Sequence, residues 1–478
     1  MPHSDTLIRN VQIVDGTGAH PYPGELAITG DIITRIGDAS GYTANHEING
    51  EGKILAPGFI DAHTHDDLYA IRAPEMLPKL SQGVTTAIAG NCGVSAAPVV
   101  VNGKLTPPMN LLGQSETFRY PAFRDYVSAL REARPAVNVA ALIGHTSLRN
   151  NVMDRLDRAA RANEIATMRS QLEQSLEHGA LGLSTGLAYS AAHAAPTAEV
   201  MELAEVLTPA QAIYATHVRT ESDYVLDALN EAIAIGKHAN TPVVISHLKC
   251  NGIRNWNRSG ELLRLLDMQQ SSSVGWDAYP YAASSTMLDL NQVDESIEIL
   301  ITWSSAHPQM SSRTLADIAT QWGISQKEAA NRLQPAGAIY HSMCEDDVRA
   351  VLAHPRTMIG SDGLPNDQFP HPRLWGTFPR VIGHYGREQQ LFSIPEAVRK
   401  MTSLPARRFG LNDRGTLREG NAADLVLFDP DTVRDAASFT APTQAANGIE
   451  AVWVNGVLSY WKQLSSGGRA GRFLPRQT

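Results

Sequence analysis

His63 and His65 stand two residues apart in the segment GFIDAHTHDD. Alternate residues of a β-strand point to the same side, so the two imidazoles can converge on one ion. An H-x-H pair alone is weak evidence, since exposed histidine pairs are common. Four further residues change that. His217, His247 and Asp362 each close a short apolar run, AIYATH, PVVISH and TMIGSD, and Cys92 follows the run TTAIAG in AGNCG. If these runs are strands, all six side chains collect at their carboxyl ends. Core histidines would be scattered instead. A thiolate among imidazoles and a carboxylate is Zn²⁺ chemistry. The usual fate of a free cysteine is burial, but Gly90 and Gly93 flank Cys92 and let the backbone turn close to a ligand. Cys250 and Cys344 lack such company and read as packing residues.

Eight such runs supply the positions: 58–63, 85–90, 137–144, 181–186, 212–217, 242–247, 273–279 and 357–362. Segments with apolar residues at helical spacing separate them, for example TAEVMELAEVL and YVLDALNEAIAIGKHA. Continuously apolar strands alternating with helices predict an α/β fold, a (β/α)8 TIM-like barrel over 58–411. About 31 residues per βα unit is expected for such a barrel, and the steps from His63 to Cys92, His217 to His247 and His247 to Asp277 match it. Active sites of these barrels lie at the carboxyl ends of the strands. The stretch of about 281–345 is too long for one helix and reads as an inserted lobe on that face. Residues 1–57 and 412–478 carry short alternating runs such as GELAITGDIITRIG and IEAVWVNGVLSYW, and the two ends are expected to pair in one β-domain.

Composition narrows the partners. The chain has 478 residues, 43% hydrophobic and 19% charged, and a net charge of −9, which leaves a small molecule, and neither nucleic acid nor a membrane, as the expected partner. No apolar run reaches the roughly 18 residues of a membrane helix. The start, MPHSDTLIRN, does not resemble a signal peptide. Three cysteines make no disulfide framework, which points to a reducing, cytoplasmic location.

PGFIDAHTHDD, His217, His247 and GSDG resemble the amidohydrolase superfamily, whose fold joins a barrel to a β-sandwich made by both chain ends. Most two-metal members bridge the ions with a carbamylated lysine on the fourth strand. No lysine lies between Lys104 and Lys237, which argues against hydantoinase-, dihydroorotase- and urease-like activities. The GNCG cysteine is similar to the bridge of the N-acyl-D-amino-acid deacylase (D-aminoacylase) branch. SQGVTTAIAGNCG, STGLAYS, ATHVRTE, SHLKC, WDAYPYAASST and GSDGLPNDQFPHPRLWGTFPRVIGHYGRE agree with it over essentially the whole chain.

The resemblance implies hydrolysis of N-acyl-D-amino acids. It implies a tight zinc on Cys92, His217 and His247, and a weaker second site on His63, His65, the shared Cys92 and Asp362. Asp362 is the expected acid/base, taking the proton of the attacking water and returning it to the departing nitrogen. Lys249, Tyr279, Ser284 and Arg373 are expected to bind the α-carboxylate, Arg373 with paired guanidinium donors. His145 and Asp277 read as structural, Arg219 and Glu221 as a local ion pair, and Asp66 and Asp67 as supporting or helix-cap residues.

Rival readings are another amidohydrolase, such as a dipeptidase or cyclic amidase, and a scaffold without activity. All six ligand positions are intact, which disfavours the scaffold. The inserted lobe resembles that of N-acyl-D-glutamate deacylases in its ITWSSAHPQ and PAGAIY runs, where arginine holds the side-chain carboxylate. Here no Lys or Arg occurs from Tyr281 through Ser312. The stretch offers Gln292 and Leu300 amid Asp289, Asp294, Glu295 and Glu298, with Met287, Leu288 and Leu290 as apolar surface. A neutral, largely hydrophobic D-side chain is therefore expected over D-glutamate or D-aspartate, unless Arg254 or Arg258 reaches the site from another loop.

Overall fold

A computed structural model describes residues 2–101, 105–270 and 272–477. Both ends of the chain contribute to one nine-stranded sheet. His3–Ile13 pairs antiparallel with Tyr22–Thr29 and parallel with Thr43–Asn49 and Ile54–Pro57. Ile54–Pro57 then pairs antiparallel with Leu425–Phe428, which continues into Ile449–Val454 and Val457–Trp461. The expected pairing of the two ends is thus present. Ile8, Ile13, Leu26, Leu55, Leu425 and Trp453 form a core of their own on this sheet.

The eight expected runs are all strands, and all are parallel. Phe59–Asp61, Val84–Ala89 and Asn138–Ala141 form one sheet. Ile143–Gly144, Gly182–Gly186, Ile213–His217, Val243–Ile245, Val274–Ala278 and Thr357–Ile359 form another, in that order. The third run is interrupted at Leu142 and contributes to both sheets. At the far edge, Thr64 bridges Gly363 in parallel, and the Ala62 amide donates to the Ile359 carbonyl at 3.2 Å. These strands are buried on both sides, which is why they read as continuous apolar runs. Ile60, Ala62, Ile88, Ala140, Leu142, Ala215, Val244 and Met358 pack into one cluster, while helices such as Val225–His238 cover the opposite side.

Several strands stop short of the expected ends, the sixth and the eighth among them. Pairing ends at Ile245 and Ile359, so His247 and Asp362 lie just past it. The cause is local: His247 has φ +37° and Asp362 φ +49°, left-handed conformations that turn the chain out of the ladder.

The lobe is an antiparallel sheet of Ser284–Met287, Ala336–Tyr340 and Ile299–Ser304, with Ala336–Tyr340 in the middle. Two helices cover it, Leu315–Trp322 and Gln326–Leu333. Thr314 and Ser325 cap them by accepting the amides of Asp317 and Glu328. The lobe has its own core of Leu288, Ile299, Ile301, Leu315, Ile318 and Leu333. Among the described residues, no helix is long and apolar enough to cross a membrane.

Candidate metal centre and substrate cavity

All six expected ligand residues meet at the carboxyl ends of the parallel strands, and all are buried. Cys92 Sγ lies 3.2 Å from His63 Nε2 and 3.3 Å from His247 Nε2. His217 groups with His247 and Glu221, their donor atoms within 4.8 Å of one another, and its ring meets that of His247 edge-on at 4.5 Å. Asp362 Oδ1 is 3.2 Å from His65 Nε2 and 3.5 Å from His63 Nε2. Donor atoms of His63, Cys92, His247 and Asp362 all lie within 4.8 Å of one another. A tetrahedral ion with bonds of about 2.0–2.3 Å holds its donors roughly 3.3–3.7 Å apart. The side chains therefore fit a zinc centre in both chemistry and spacing.

The backbone supports this placement. Cys92 has φ +52°, so three of the six candidate ligands, Cys92, His247 and Asp362, adopt the left-handed conformation. Such strain persists only where surrounding structure enforces it, and it concentrates at functional sites. Around Cys92 that structure is the closely packed backbone of neighbouring strands, for which Gly90 and Gly93 make room. A Cβ on Gly90 would lie 2.1 Å from the Leu142 carbonyl oxygen, and one on Gly93 2.6 Å from the Gly186 nitrogen. The glycines flanking Cys92 thus permit the approach expected of them.

Electrostatics reinforce the geometry. Burial alone would raise the Cys92 thiol, but His63 and His247 hold it well below its usual value. Burial would also raise Asp362, and the Arg373 guanidinium with His247 and His65 overrides it, holding the carboxyl well below the usual range. Arg373 Nη2 sits 2.9 Å from Asp362 Oδ2 and donates to the Ser285 carbonyl at 3.0 Å. Its guanidinium stacks over the Tyr279 ring at 4.6 Å. Arg373 is fully buried, yet among the described residues its Nε and Nη1 have no hydrogen-bond partner. Two donors of a buried cation are thus left over beside the cluster of metal donors.

Comparison with known proteins agrees. The model of the family described as "Amidohydrolase family" matches residues 46–460. The chain belongs to the amidohydrolase family. Within it, the chain is 46% identical to the D-aminoacylase of Alcaligenes xylosoxydans xylosoxydans over 473 residues, 99% of this chain and 98% of that protein. It is also 46% identical to the N-acyl-D-aspartate deacylase of the same organism, over 99% of this chain and 94% of that one. The structure of the N-acyl-D-glutamate deacylase from Bordetella bronchiseptica, complexed with zinc and a phosphonate inhibitor, superposes with a TM-score of 0.94. That pair is 44% identical and covers 99% of this chain and 100% of the other. This amidohydrolase thus falls in the N-acyl-D-amino-acid deacylase branch.

A cavity of about 920 Å³ opens onto the metal cluster, bounded by His217, His247, Lys249, Tyr279, Ser284 and Asp362 at its base. Lobe residues Met287 to Gln292 form one wall, with Tyr189 opposite and its hydroxyl against Thr286 Oγ1 at 3.0 Å. Both full cations lining it are already engaged. Arg219 pairs with Glu231 through Nε and Nη2, at 2.9 and 2.7 Å. Lys249 Nζ lies 2.5 Å from Glu221 Oε1. The expected Arg219–Glu221 pair is therefore absent, because Arg219 reaches back to the helix Val225–His238 and Glu221 turns inward. Arg373, fully buried, does not itself line the cavity, and neither do Arg254 and Arg258; Arg258 bonds Asn255 and Glu261. Gln292 does, but Leu300 packs away from it against Ala283 and Ile339. Met287 and Leu288 serve both expected roles, lining the cavity and packing in apolar clusters.

Supporting residues were only partly foreseen. Asp277 accepts the His247 amide at 3.0 Å and faces His63 Nδ1 at 3.4 Å. His145 bonds Glu199 in a buried group with Arg149, as a structural role requires. Asp66 accepts from Thr64, and Asp67 from the Ala96 amide. Lys79 was missed. It is completely buried, and its Nζ contacts Asp61 (2.7 Å), Asp66 (3.0 Å), Thr64 (2.9 Å) and Ser361 (3.0 Å). Asp61 in turn accepts the amides of His63 and Ser361. This knot ties the loop bearing His63 and His65 to the loop bearing Asp362. Nothing in MLPKLSQG marks Lys79 as anything but a surface lysine.

Proposed function

We propose that the chain is a zinc-dependent hydrolase of N-acyl-D-amino acids, releasing a D-amino acid and a carboxylate. The carrying observation is the juxtaposition of the buried cysteine–histidine–aspartate cluster with the half-partnered guanidinium of Arg373. In this reading the eight parallel strands close, through the Thr64–Gly363 bridge, into a (β/α)8 barrel over 58–411. The terminal sheet, from 1–57 and 412–478, forms the flanking β-sandwich. Cys92, His217 and His247 hold the tighter zinc, while His63, His65, Cys92 and Asp362 offer a second site. Zinc in these positions supplies Lewis acidity for the carbonyl and lowers the pKa of water.

The chain's own groups do the rest. Arg373 takes the α-carboxylate on Nε and Nη1, with Ser284, Tyr279 and Lys249 around it. Asp362, kept ionised by Arg373 and the histidines, accepts a proton from the attacking water as its oxygen joins the carbonyl carbon. It then gives that proton to the amide nitrogen as the C–N bond breaks. Tyr189 and the lobe wall enclose the remainder of the substrate.

The cavity also supports a neutral D-side chain. Its cations are both paired, and Asp289 on the lobe wall would repel an anion. The test measures zinc content and amine release on one sample, over N-acetyl-D- and N-acetyl-L-amino acids. D-leucine and D-phenylalanine derivatives are expected to be hydrolysed with higher kcat/KM than the D-glutamate derivative, and Cys92→Ala to lose zinc and turnover together. A clear win for D-glutamate overturns the side-chain reading; full activity and normal zinc in Cys92→Ala overturns the metal centre.

A further inference from the structure

Glu221 takes no part in the steps above, yet it touches the metal centre from behind. Its Oε1 lies 2.9 Å from His247 Nδ1 and 2.5 Å from Lys249 Nζ. The other nitrogen of that imidazole, Nε2, faces Cys92 Sγ at 3.3 Å. One ring thus presents its front edge to the thiol and its back edge to a carboxylate. Lys249 Nζ is also close to Nδ1, at 2.7 Å, but an ammonium has only donors to offer. A histidine that binds metal through Nε2 carries its proton on Nδ1, and of the two groups beside that nitrogen Glu221 is the acceptor.

We infer that Glu221 is a positioning residue with two clients, fixing the His247 tautomer for the metal and holding Lys249 at the substrate cavity. The inference rests on the zinc reading above. Glu221 is not itself a ligand of the thiolate's ion, because it meets His247 on the nitrogen opposite Cys92. Nor is it needed by Arg219, whose charge Glu231 already balances. A single carboxylate therefore links occupancy of the metal centre to the group that meets the substrate carboxylate.

The test compares Glu221→Gln, Lys249→Met and His247→Ala. Zinc affinity is measured by competition with a chromogenic chelator, and the zinc-loaded protein is searched by proton NMR for a downfield imidazole N–H resonance. Loss of such a partner typically weakens metal binding about 10–100-fold, and Glu221→Gln is expected to do so. Lys249→Met should keep zinc affinity while raising KM for N-acyl-D-amino acids. The N–H resonance should shift upfield in Glu221→Gln, whose amide oxygen is an uncharged and weaker acceptor, and keep its position in Lys249→Met. Unchanged zinc affinity in Glu221→Gln, with zinc lost from His247→Ala, overturns the inference alone. Zinc retained by His247→Ala overturns the metal reading beneath it. If Glu221→Gln does not fold, the wild-type spectrum decides, and absence of the resonance there is refuting.

Discussion

Replacing Arg373 with methionine removes the guanidinium and keeps much of the side-chain volume. Two of its donors, Nε and Nη1, are buried and without a hydrogen-bond partner among the described residues, and a third group, Nη2, holds Asp362 at 2.9 Å. A hydrogen bond to a charged group contributes about 1.5–3 kcal/mol. Two such bonds to an α-carboxylate therefore come to roughly 3–6 kcal/mol, or about 10²–10⁴ in kcat/KM at 1.4 kcal/mol per tenfold. Asp362 also loses its neighbour, and that part of the loss falls on every substrate. The assay compares N-acetyl-D-leucine with N-(3-methylbutyl)acetamide, which has the same amide and side chain but no carboxylate. Arg373→Met should cut kcat/KM far more for the acid than for the plain amide. Equal losses on both would show that Arg373 acts only through Asp362, and the proposed carboxylate seat would be wrong.

Asp362→Asn should retain zinc on Cys92, His217 and His247 but lose about 10²–10⁴-fold in kcat, the range of general acid–base catalysis; near-normal turnover would assign the proton to another group. Lys79→Met leaves Asp61 and Asp66 buried without their cation, so a loss of about 3–5 kcal/mol is expected in urea unfolding; stability equal to wild type would refute the knot. Burial would raise Glu199, yet His145 and Arg149 lower its pKa to about 2, below the usual 4.5. Its contribution, on the order of 3 kcal/mol, is present above about pH 5 and lost as pH falls toward 2. Glu199→Gln should flatten that acid limb in chemical unfolding measured across pH, and an unchanged slope would refute the assignment.

The clustering of the candidate ligands was legible in the sequence because few residue types bind zinc and these stand at or just past the ends of apolar runs. The parallel strands were legible for a related reason, since burial on both sides removes polar residues from the run. What escaped was the part that depends on direction in space. Arg219 and Glu221 are two residues apart, and adjacency suggested a pair; the chain turns after His217 and sends them to opposite partners. Gln292 and Leu300 looked equivalent beside the cavity. Leu300 belongs to a strand whose register with Ile339 turns it away, and that register is not written locally. Lys79 leaves no periodic trace, because its meaning lies in two loops about 300 residues apart that it joins. The left-handed turns at Cys92, His247 and Asp362 are likewise invisible in residue type alone.

The seam between Ile54–Pro57 and Leu425–Phe428 has a consequence for how the molecule comes into being. Its two sides are about 370 residues apart, and the strand carrying the chain toward His63 and His65 begins directly after it, with the Gly58 amide bonded to the Asp424 carbonyl. The C-terminal tail adds to the same seam, since the Leu474 amide donates to the Val139 carbonyl, and Asn138 bonds both Asp424 and Asn455. A ribosome adding about 5–20 residues per second needs tens of seconds to deliver the second side after the first has emerged. During that interval Ile54–Pro57 presents an open strand edge, a template for wrong partners. Contacts so distant along the chain also close slowly. Yield at the ribosome is thus governed by the last seventh of the chain, and a nascent chain halted before Leu425 should be held soluble only while something else covers that edge.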